Sequence, residues 1–315
     1  MRQHSDNPGG NRLPEGIGEE CLISTIQSSG YPLQGVVASK LDGLFVVTEE
    51  WGYIDRDSKQ HRSLDVVAYK QLEANETDAV KPCLALLVEC KRSKHPYIFF
   101  KDVIERRLLH FPATCGLHNN RITIYEESKK RSQFVPAARL LGIDKLPFTE
   151  GGPPKCSAFS KAIPRGKKVE LSGDDPFNSL VLPLTRALDH AVGVFQGNVD
   201  PKRPYPTLLL CVSVIDAPMI LVDSPTSASE LTLCPWVRIV RQEANANSSS
   251  RDRYQYYAID VVHIDFFEEF LHENLLPFAD TFCERARQRQ EVLLDGGVVD
   301  SLDDWEWDTI RPRTK

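Results

Sequence analysis

The sequence predicts an α/β protein, because apolar runs typical of strands alternate with segments that have helical spacing. The runs 84–90 and 207–215 are short, almost wholly apolar and rich in leucine and valine, which predicts buried strands. The segment 177–196 instead repeats apolar residues every three to four positions, as an amphipathic helix does. The mixture predicts a mixed central sheet flanked by helices.

The first half of the chain is expected to begin with a helix and to continue with strands. Apolar residues over 19–29 fall on one face, and Gly30 and Pro32 end this helix. Runs of apolar and β-branched residues, separated by glycine, proline and polar turns, then predict strands over 35–38, 43–47, 51–55, 62–69 and 84–91. For 45–50 a helix is an open alternative.

The rest of the chain mixes both kinds of element. Helical spacing predicts a helix over 99–111, and an apolar run predicts a strand over 121–125. The same two signals predict, in order, a helix over 177–196, strands over 207–215, 219–222 and 254–264, a helix that starts at 266 and a charged helix over 279–294.

Changes in composition predict the domain organisation. Residues 1–17 are polar and read as a flexible arm, and residues 18–295 form the folded domain. The stretch near 145–175 is rich in glycine, proline and lysine, which predicts a surface loop or an inserted subdomain. Residues 296–315 form an acidic tail. The six acids over 295–308 account for the net charge of −6, so the overall charge does not exclude a nucleic-acid partner.

Composition also excludes several classes. Apolar residues make up 41% of the 315 residues and no long uninterrupted apolar stretch is present, so we expect no membrane partner and a cytoplasmic location. The eight cysteines form no Cys-x-x-Cys pair, which argues against a zinc site. The sequence has neither a Gly-x-Ser-x-Gly motif nor a phosphate-binding glycine loop, so serine hydrolases and unaided ATPases are disfavoured.

Two predicted strands carry charged residues inside apolar runs. Asp65 lies within 64–68, and Glu89 and Lys91 lie at the end of 84–91. Because alternate strand residues share a face, Glu89 and Lys91 project together. If the two strands pair, Asp65 can reach the same divalent cation as Glu89. Such charges are costly to bury without a partner or a metal, so they predict a site.

The order of these features resembles the PD-(D/E)XK nuclease superfamily. A helix with an acid comes first and strands follow, then a strand with an aspartate, and then an apolar strand that ends in Glu-x-Lys. The resemblance covers roughly residues 18–125 and implies a restriction-endonuclease-like core with C-terminal elaborations. It implies that Asp65, Glu89 and the backbone carbonyl of Cys90 bind Mg²⁺, with Mn²⁺ as a substitute. No proline precedes Asp65, and the helix signature of the exonuclease branch is not evident.

The resemblance also implies the remaining roles. Lys91 would position or help to deprotonate the attacking water, and Glu20, or else Glu19, would supply the helix carboxylate. The implied activity is a Mg²⁺-dependent deoxyribonuclease that hydrolyses phosphodiester bonds, with DNA favoured over RNA, in restriction, antiviral defence or repair. The alternative is a catalytically inactive module that binds nucleic acid or a protein partner. A homodimer or a partner subunit stays open.

Simpler explanations compete with these roles. About one Glu-x-Lys triplet is expected by chance in a chain of this length, and a second stands at 127–129, but no aspartate strand precedes it. Acids such as Glu19 and Glu20 are also favoured at any helix start. The basic residues Arg92, Lys94 and Lys101 are expected to contact nucleic acid, whereas those over 155–168 read as a solvated face.

Overall fold

The computed structural model describes residues 2–73, 78–102, 111–117, 121–126, 131–197, 199–200, 202–223, 230–244, 254–294 and 298–299. Within these ranges, the side chains of 121–126, 131–134, 254 and 298–299 are not described. Residues 2–17, most of the predicted arm, contain neither helix nor strand and are largely exposed.

Strands make up most of the regular structure. Their bounds are β1 (Val46–Ile54), β2 (His61–Gln71), β3 (Cys83–Arg92), β4 (Tyr97–Lys101), β5 (Ala113–Cys115), β6 (Arg121–Glu126), β7 (Arg131–Pro136), β8 (Lys155–Arg165), β9 (Lys168–Ser172), β10 (Thr207–Asp216), β11 (Met219–Val222), β12 (Leu231–Leu233), β13 (Trp236–Ala244), β14 (Tyr254–His263) and β15 (Val298–Val299).

The helices flank these strands. Their bounds are α1 (Glu19–Ser28), α2 (Tyr31–Leu41), α3 (Ala137–Leu140), α4 (Asp174–Pro176), α5 (Leu182–Gln196), α6 (Phe267–Glu269), α7 (Leu276–Gln288) and α8 (Gln290–Leu294). Wider π-helical turns lead into α5 and α7, just before Pro183 and Pro277. A proline cannot donate to the carbonyl four residues earlier and its ring clashes with it, which accounts for the wider turns.

Over the described residues, twelve strands form one mixed sheet in the order β1-β2-β3-β10-β14-β13-β8-β4-β11-β12, with β5 beside β10 and β9 beside β8. The first three strands are an antiparallel meander, and β3, β10 and β14 run parallel. A second sheet has the order β15-β6-β7. The predicted α/β class is therefore confirmed, with a large mixed sheet between helices.

Each face of the sheet has its own core. On one face, Val88 of β3 belongs to a cluster with Val37 of α2 and Phe282 of α7. On the other, Leu87 belongs to a cluster with Leu184 and other residues of α5. Strands β3 and β10 are therefore covered on both sides, which explains their nearly continuous apolar sequences.

One sequence prediction is wrong in this region, and one open alternative is excluded. Residues 35–38 lie inside α2 rather than in a strand, because Leu33, Val37 and Leu41 repeat every four positions and bury one helix face. Residues 45–50 contain the start of β1, so the helical alternative does not hold.

Further differences lie in the middle of the chain. Tyr97–Lys101 is strand β4, so the predicted helix over 99–111 is wrong at its start, and 103–110 lie outside the described residues. The stretch near 145–175 contains β8, which joins the central sheet through buried Cys156 and Phe159, so the loop interpretation fails there. The second Glu-x-Lys triplet, 127–129, and residues 300–315 of the tail also lie outside the described residues.

Other predicted elements are confirmed within a few residues at their ends, namely the helices over 19–29 and 177–196 and the strands over 62–69, 84–91, 207–215, 219–222 and 254–264. The predicted helix over 279–294 is helical but is divided at Arg289 into α7 and α8. None of the helices within the described residues is long and apolar enough to cross a bilayer.

Candidate metal centre and active site

The site lies where two neighbouring strands stop pairing. The β2–β3 ladder runs from Gln71 opposite Cys83 to Val66 opposite Val88. Beyond that pair, β2 continues beside β1 and β3 continues beside β10. We call this place the fork. Asp65 and Glu89 are the first residues past the last pair, one on each strand, so two acids face each other there.

The Asp65 carboxylate closes part of the fork. Its Oδ2 accepts a hydrogen bond from the backbone N–H of Cys90 at 2.7 Å. This bond joins β2 to β3 through a side chain where the backbone ladder has ended. Burial raises the pKa of Asp65 above its ordinary value, although the Cys90 N–H and the Lys91 ammonium act in the opposite direction.

Glu89 and Lys91 form an ion pair on β3. The Nζ atom of Lys91 lies 2.5 Å from Oε1 of Glu89, whose side chain is only 8% exposed. Burial raises the pKa of Glu89 to about 7, repulsion from Asp65 and Glu50 adds to this rise, and Lys91 opposes it. Burial alone would lower the pKa of Lys91, but the nearby negative charges, first Glu89 and then Asp65, together offset this, so the pKa of Lys91 is raised. Lys91 is therefore an ammonium ion at neutral pH.

Glu50 is a third acid that the sequence did not single out. It lies on β1 between the pairs Glu49–Val66 and Trp51–Leu64, with a φ of 50°. This left-handed conformation is uncommon for glutamate. Its negative charge raises the pKa of both Asp65 and Glu89. The only signal in the sequence is an acid pair after an apolar strand.

The predicted helix carboxylate, Glu20 or else Glu19, is not part of the contacts described above for Asp65, Glu89 and Lys91. Glu19 and Glu20 stand in the first turn of α1, which has no buried residue. The helix is held near β3 at its other end, where Arg92 Nη1 donates to the Gln27 carbonyl. Glu20 is about 10 Å from Gln27 along the helix. Neither acid is among the charges that shift the pKa of Asp65 or Glu89. The role of Glu20, or else Glu19, as the helix carboxylate stays a prediction.

The Cys90 carbonyl, the predicted backbone ligand, lies beside the start of α2. A Cβ atom added to Gly30 would lie 3.7 Å from this oxygen, which is ordinary van der Waals contact. The turn between α1 and α2 therefore lies against the end of β3. Whether the Cys90 oxygen binds a metal stays a prediction.

Two of the three predicted nucleic-acid contacts are paired with acids. Arg92 Nε lies 2.6 Å from Asp216, and Lys101 Nζ lies 3.0 Å from Asp223. Lys94 is exposed and has no ion pair within the described part of the chain. Acids of the same chain thus neutralise two of these three positive charges.

The residues at the fork fit a divalent cation. Two carboxylates meet in a largely buried place, where burial raises the pKa of both and repulsion from Asp65 raises the pKa of Glu89 further. A hard cation would offset this repulsion, and oxygen donors suit Mg²⁺ or Mn²⁺ better than zinc. Within the described ranges, no group of three or more His, Cys, Asp or Glu side chains is arranged to hold a metal. The candidate metal ligands at the fork are therefore the side chains of Asp65 and Glu89 and the backbone carbonyl of Cys90.

Comparisons with known proteins add no relative. Neither a protein-family profile nor a curated protein nor a solved structure was found to match this chain. A function can therefore be inferred only from the chemistry of the residues at the fork.

The raised pKa of Glu89 has a measurable consequence for stability. Because this pKa rises from 4.5 to about 7 on folding, the folded state binds the proton more tightly. Stability contributed by this group is therefore lost as the pH rises through that window. We expect the free energy of unfolding of Glu89→Gln, minus that of the parent, to grow by up to about 3 kcal/mol between about pH 4 and 7.5. Urea unfolding in EDTA measures this difference.

Glu49→Gln is the matched control for this measurement. Glu49 is an exposed acid on the neighbouring strand β1, and it is not among the charges that act on Glu89. Its difference from the parent should stay flat over the same pH range. If the difference for Glu89→Gln also stayed flat over this pH range, it would contradict a raised pKa of Glu89 at the fork.

Proposed function

We propose that this protein is a divalent-metal-dependent nuclease that hydrolyses phosphodiester bonds, with DNA as the favoured substrate. The observation that carries the proposal is the meeting of Asp65 and Glu89 at the fork, with Lys91 bound to Glu89. The three groups come from two strands, and pairing brings them together as the nuclease pattern requires.

The strand order supports a restriction-endonuclease-like core within the larger sheet. A helix, α2, precedes the antiparallel meander β1-β2-β3, and β3 then pairs in parallel with β10. Helix α2 packs on one face and α5 on the other, so these four strands form a mixed sheet between helices. Strands β13 and β14 would then belong to the C-terminal elaborations.

The chemistry assigns a task to each group. Bound Mg²⁺ would offset the negative charge of the phosphodiester and lower the pKa of a coordinated water. Asp65 and Glu89 would hold the ion, and the Cys90 N–H keeps the Asp65 carboxylate oriented for this. The buried position of Glu89 limits competition from solvent water for its carboxylate.

Lys91 is assigned a positioning role rather than that of a general base. Its Nζ atom lies 2.5 Å from Oε1 of Glu89, so Lys91 presents an N–H donor at the fork. We infer that Lys91 orients the attacking water or a non-bridging oxygen of the scissile phosphate. Of the two roles implied by the sequence, this proposal adopts positioning rather than deprotonation.

A catalytically inactive binding module is the second candidate. It is favoured by the ion pairs of Lys91, Arg92 and Lys101, which satisfy these cations within the protein alone. In that case Asp65 and Glu89 are structural, and metal binding should not depend on them. Restriction, antiviral defence and repair, a homodimer or a partner subunit, and a cytoplasmic location all stay predictions.

Closed circular DNA tests the proposed function directly. The purified protein is incubated with single-stranded or double-stranded circles, and with linear DNA, in the presence of Mg²⁺ or of EDTA. We expect cleavage with Mg²⁺ and none with EDTA, and a cut circle would identify internal cleavage. RNA circles under the same conditions test the preference for DNA. Intact circles and intact linear DNA under all conditions would favour the binding module.

A further inference from the structure

A serine on the central strand β10 interrupts an otherwise apolar sequence. Ser213 is the one polar residue between Leu208 and Ile215. It is 0% exposed, and its Oγ atom has no hydrogen-bond partner among the described residues. A buried hydroxyl without a partner is unfavourable, and an alanine in this strand would avoid that cost.

The strand register places this hydroxyl beside Glu89. In the parallel β3–β10 ladder, Ser213 is the partner of Glu89. Paired residues on adjacent strands project from the same face of the sheet. Ser213 therefore flanks Glu89 on the β10 side of β3, whereas Asp65 lies across the fork on the β2 side.

The Glu89 carboxylate can accept a further hydrogen bond. The contact with Lys91 uses Oε1, and an ionised carboxylate has several acceptor positions on its two oxygens. Because neighbouring strands lie about 4.8 Å apart, paired side chains on one face are near enough for the Ser213 hydroxyl to donate to this carboxylate. Residues that hydrogen-bond a metal ligand fix its orientation, and their loss weakens metal binding.

We propose that Ser213 is a positioning residue for Glu89: its hydroxyl donates to the Glu89 carboxylate when a divalent cation is bound at the fork. The Oγ atom makes no hydrogen bond among the described residues, so the hydroxyl remains able to donate at the fork. The inference rests on the proposed metal site and deepens it, because it adds a residue from a third strand.

Ser213→Ala separates this role from a structural one. Because the hydroxyl has no hydrogen-bond partner among the described residues, we expect the unfolding temperature in EDTA to be unchanged or higher. The dissociation constant for Mn²⁺, measured by calorimetry at about pH 8, should rise roughly 10- to 100-fold. A serine that only stabilises the fold would give the opposite result, with a lower unfolding temperature and unchanged Mn²⁺ affinity.

Thr207→Val is the matched control on the same strand. Thr207 is also buried, but its hydroxyl donates to the Tyr205 carbonyl at 2.8 Å. It lies six residues from Ser213, about 20 Å along the strand. This variant should unfold at a lower temperature in EDTA and bind Mn²⁺ as the parent does.

The outcomes distinguish the two proposals. If the parent binds Mn²⁺ through Asp65 and Ser213→Ala binds it equally well, the role of Ser213 is overturned and the metal site stands. A lower unfolding temperature of Ser213→Ala with unchanged affinity also overturns it. If the parent does not bind Mn²⁺ at all, the proposed function and the role of Ser213 are both overturned.

Discussion

Lys91→Ala is expected to cleave circular DNA about 10²- to 10³-fold more slowly than the parent, because a preorganised hydrogen-bond donor is lost from the reacting phosphate. Its affinity for Mn²⁺ at about pH 8 should not fall, since the ammonium that pairs with Glu89 in the metal-free protein is removed. Loss of cleavage without loss of metal binding would identify a group that acts in the chemical step. Cleavage assays and calorimetry on the same preparation measure both.

Lys70→Ala is the control for this variant. Lys70 lies near the opposite end of β2, where it pairs with Leu84 of β3. Its removal changes the net charge by the same amount without touching the fork. Parent-like cleavage by Lys91→Ala, or equal losses in the two variants, would contradict the role assigned to Lys91.

The largest effect on stability is expected from Asp260→Ala, at about 3 to 5 kcal/mol lost from the free energy of unfolding. Asp260 and Arg238 are both 0% exposed, and the guanidinium donates to both carboxylate oxygens, at 2.8 and 3.1 Å. The Trp236 indole N–H also donates to Asp260, at 2.9 Å. Removing the carboxylate therefore leaves a buried cation without its counter-charge and the indole N–H without this acceptor, although Arg238 still donates to the Phe148 carbonyl.

The double variant Arg238→Met/Asp260→Leu is the control for this pair. It removes both charges and fills the space with apolar side chains, so most of the lost stability should return. Arg238 also packs against the rings of Phe111 and Phe148, with which a methionine can still make contact. Urea unfolding measures both variants. A loss below about 1 kcal/mol for Asp260→Ala would contradict the buried ion pair.

The fold could be predicted from sequence where one local signal dominates. Strands β3 and β10 are covered on both faces, so their sequences are almost wholly apolar and were easily recognised. The prediction of a strand over 35–38 was wrong because Val36 and Val37 favour a strand locally. The segment is a helix because Leu33, Val37 and Leu41, spaced four residues apart, are buried by tertiary contacts. A window of four residues does not contain this spacing.

The candidate site was predictable in its central residues and not in its surroundings. Asp65, Glu89 and Lys91 stand out because charged residues inside apolar strands are costly to bury. Glu50 could not be found, because its place beside them depends on a left-handed backbone conformation within β1. Ser213 is 124 residues beyond Glu89 in the chain, and only the parallel pairing of β3 with β10 reveals that the two are neighbours.

The central claim is that Asp65 and Glu89 hold one divalent cation between β2 and β3, and a calorimetric titration with Mn²⁺ tests it most directly. We expect the parent protein to bind one Mn²⁺ per chain, Asp65→Asn and Glu89→Gln to lose this binding, and Glu49→Gln to keep it. Each of the two variants removes one charge and preserves the shape of the side chain. Mn²⁺ binding that survives both substitutions, or a parent protein that binds none, would contradict the account.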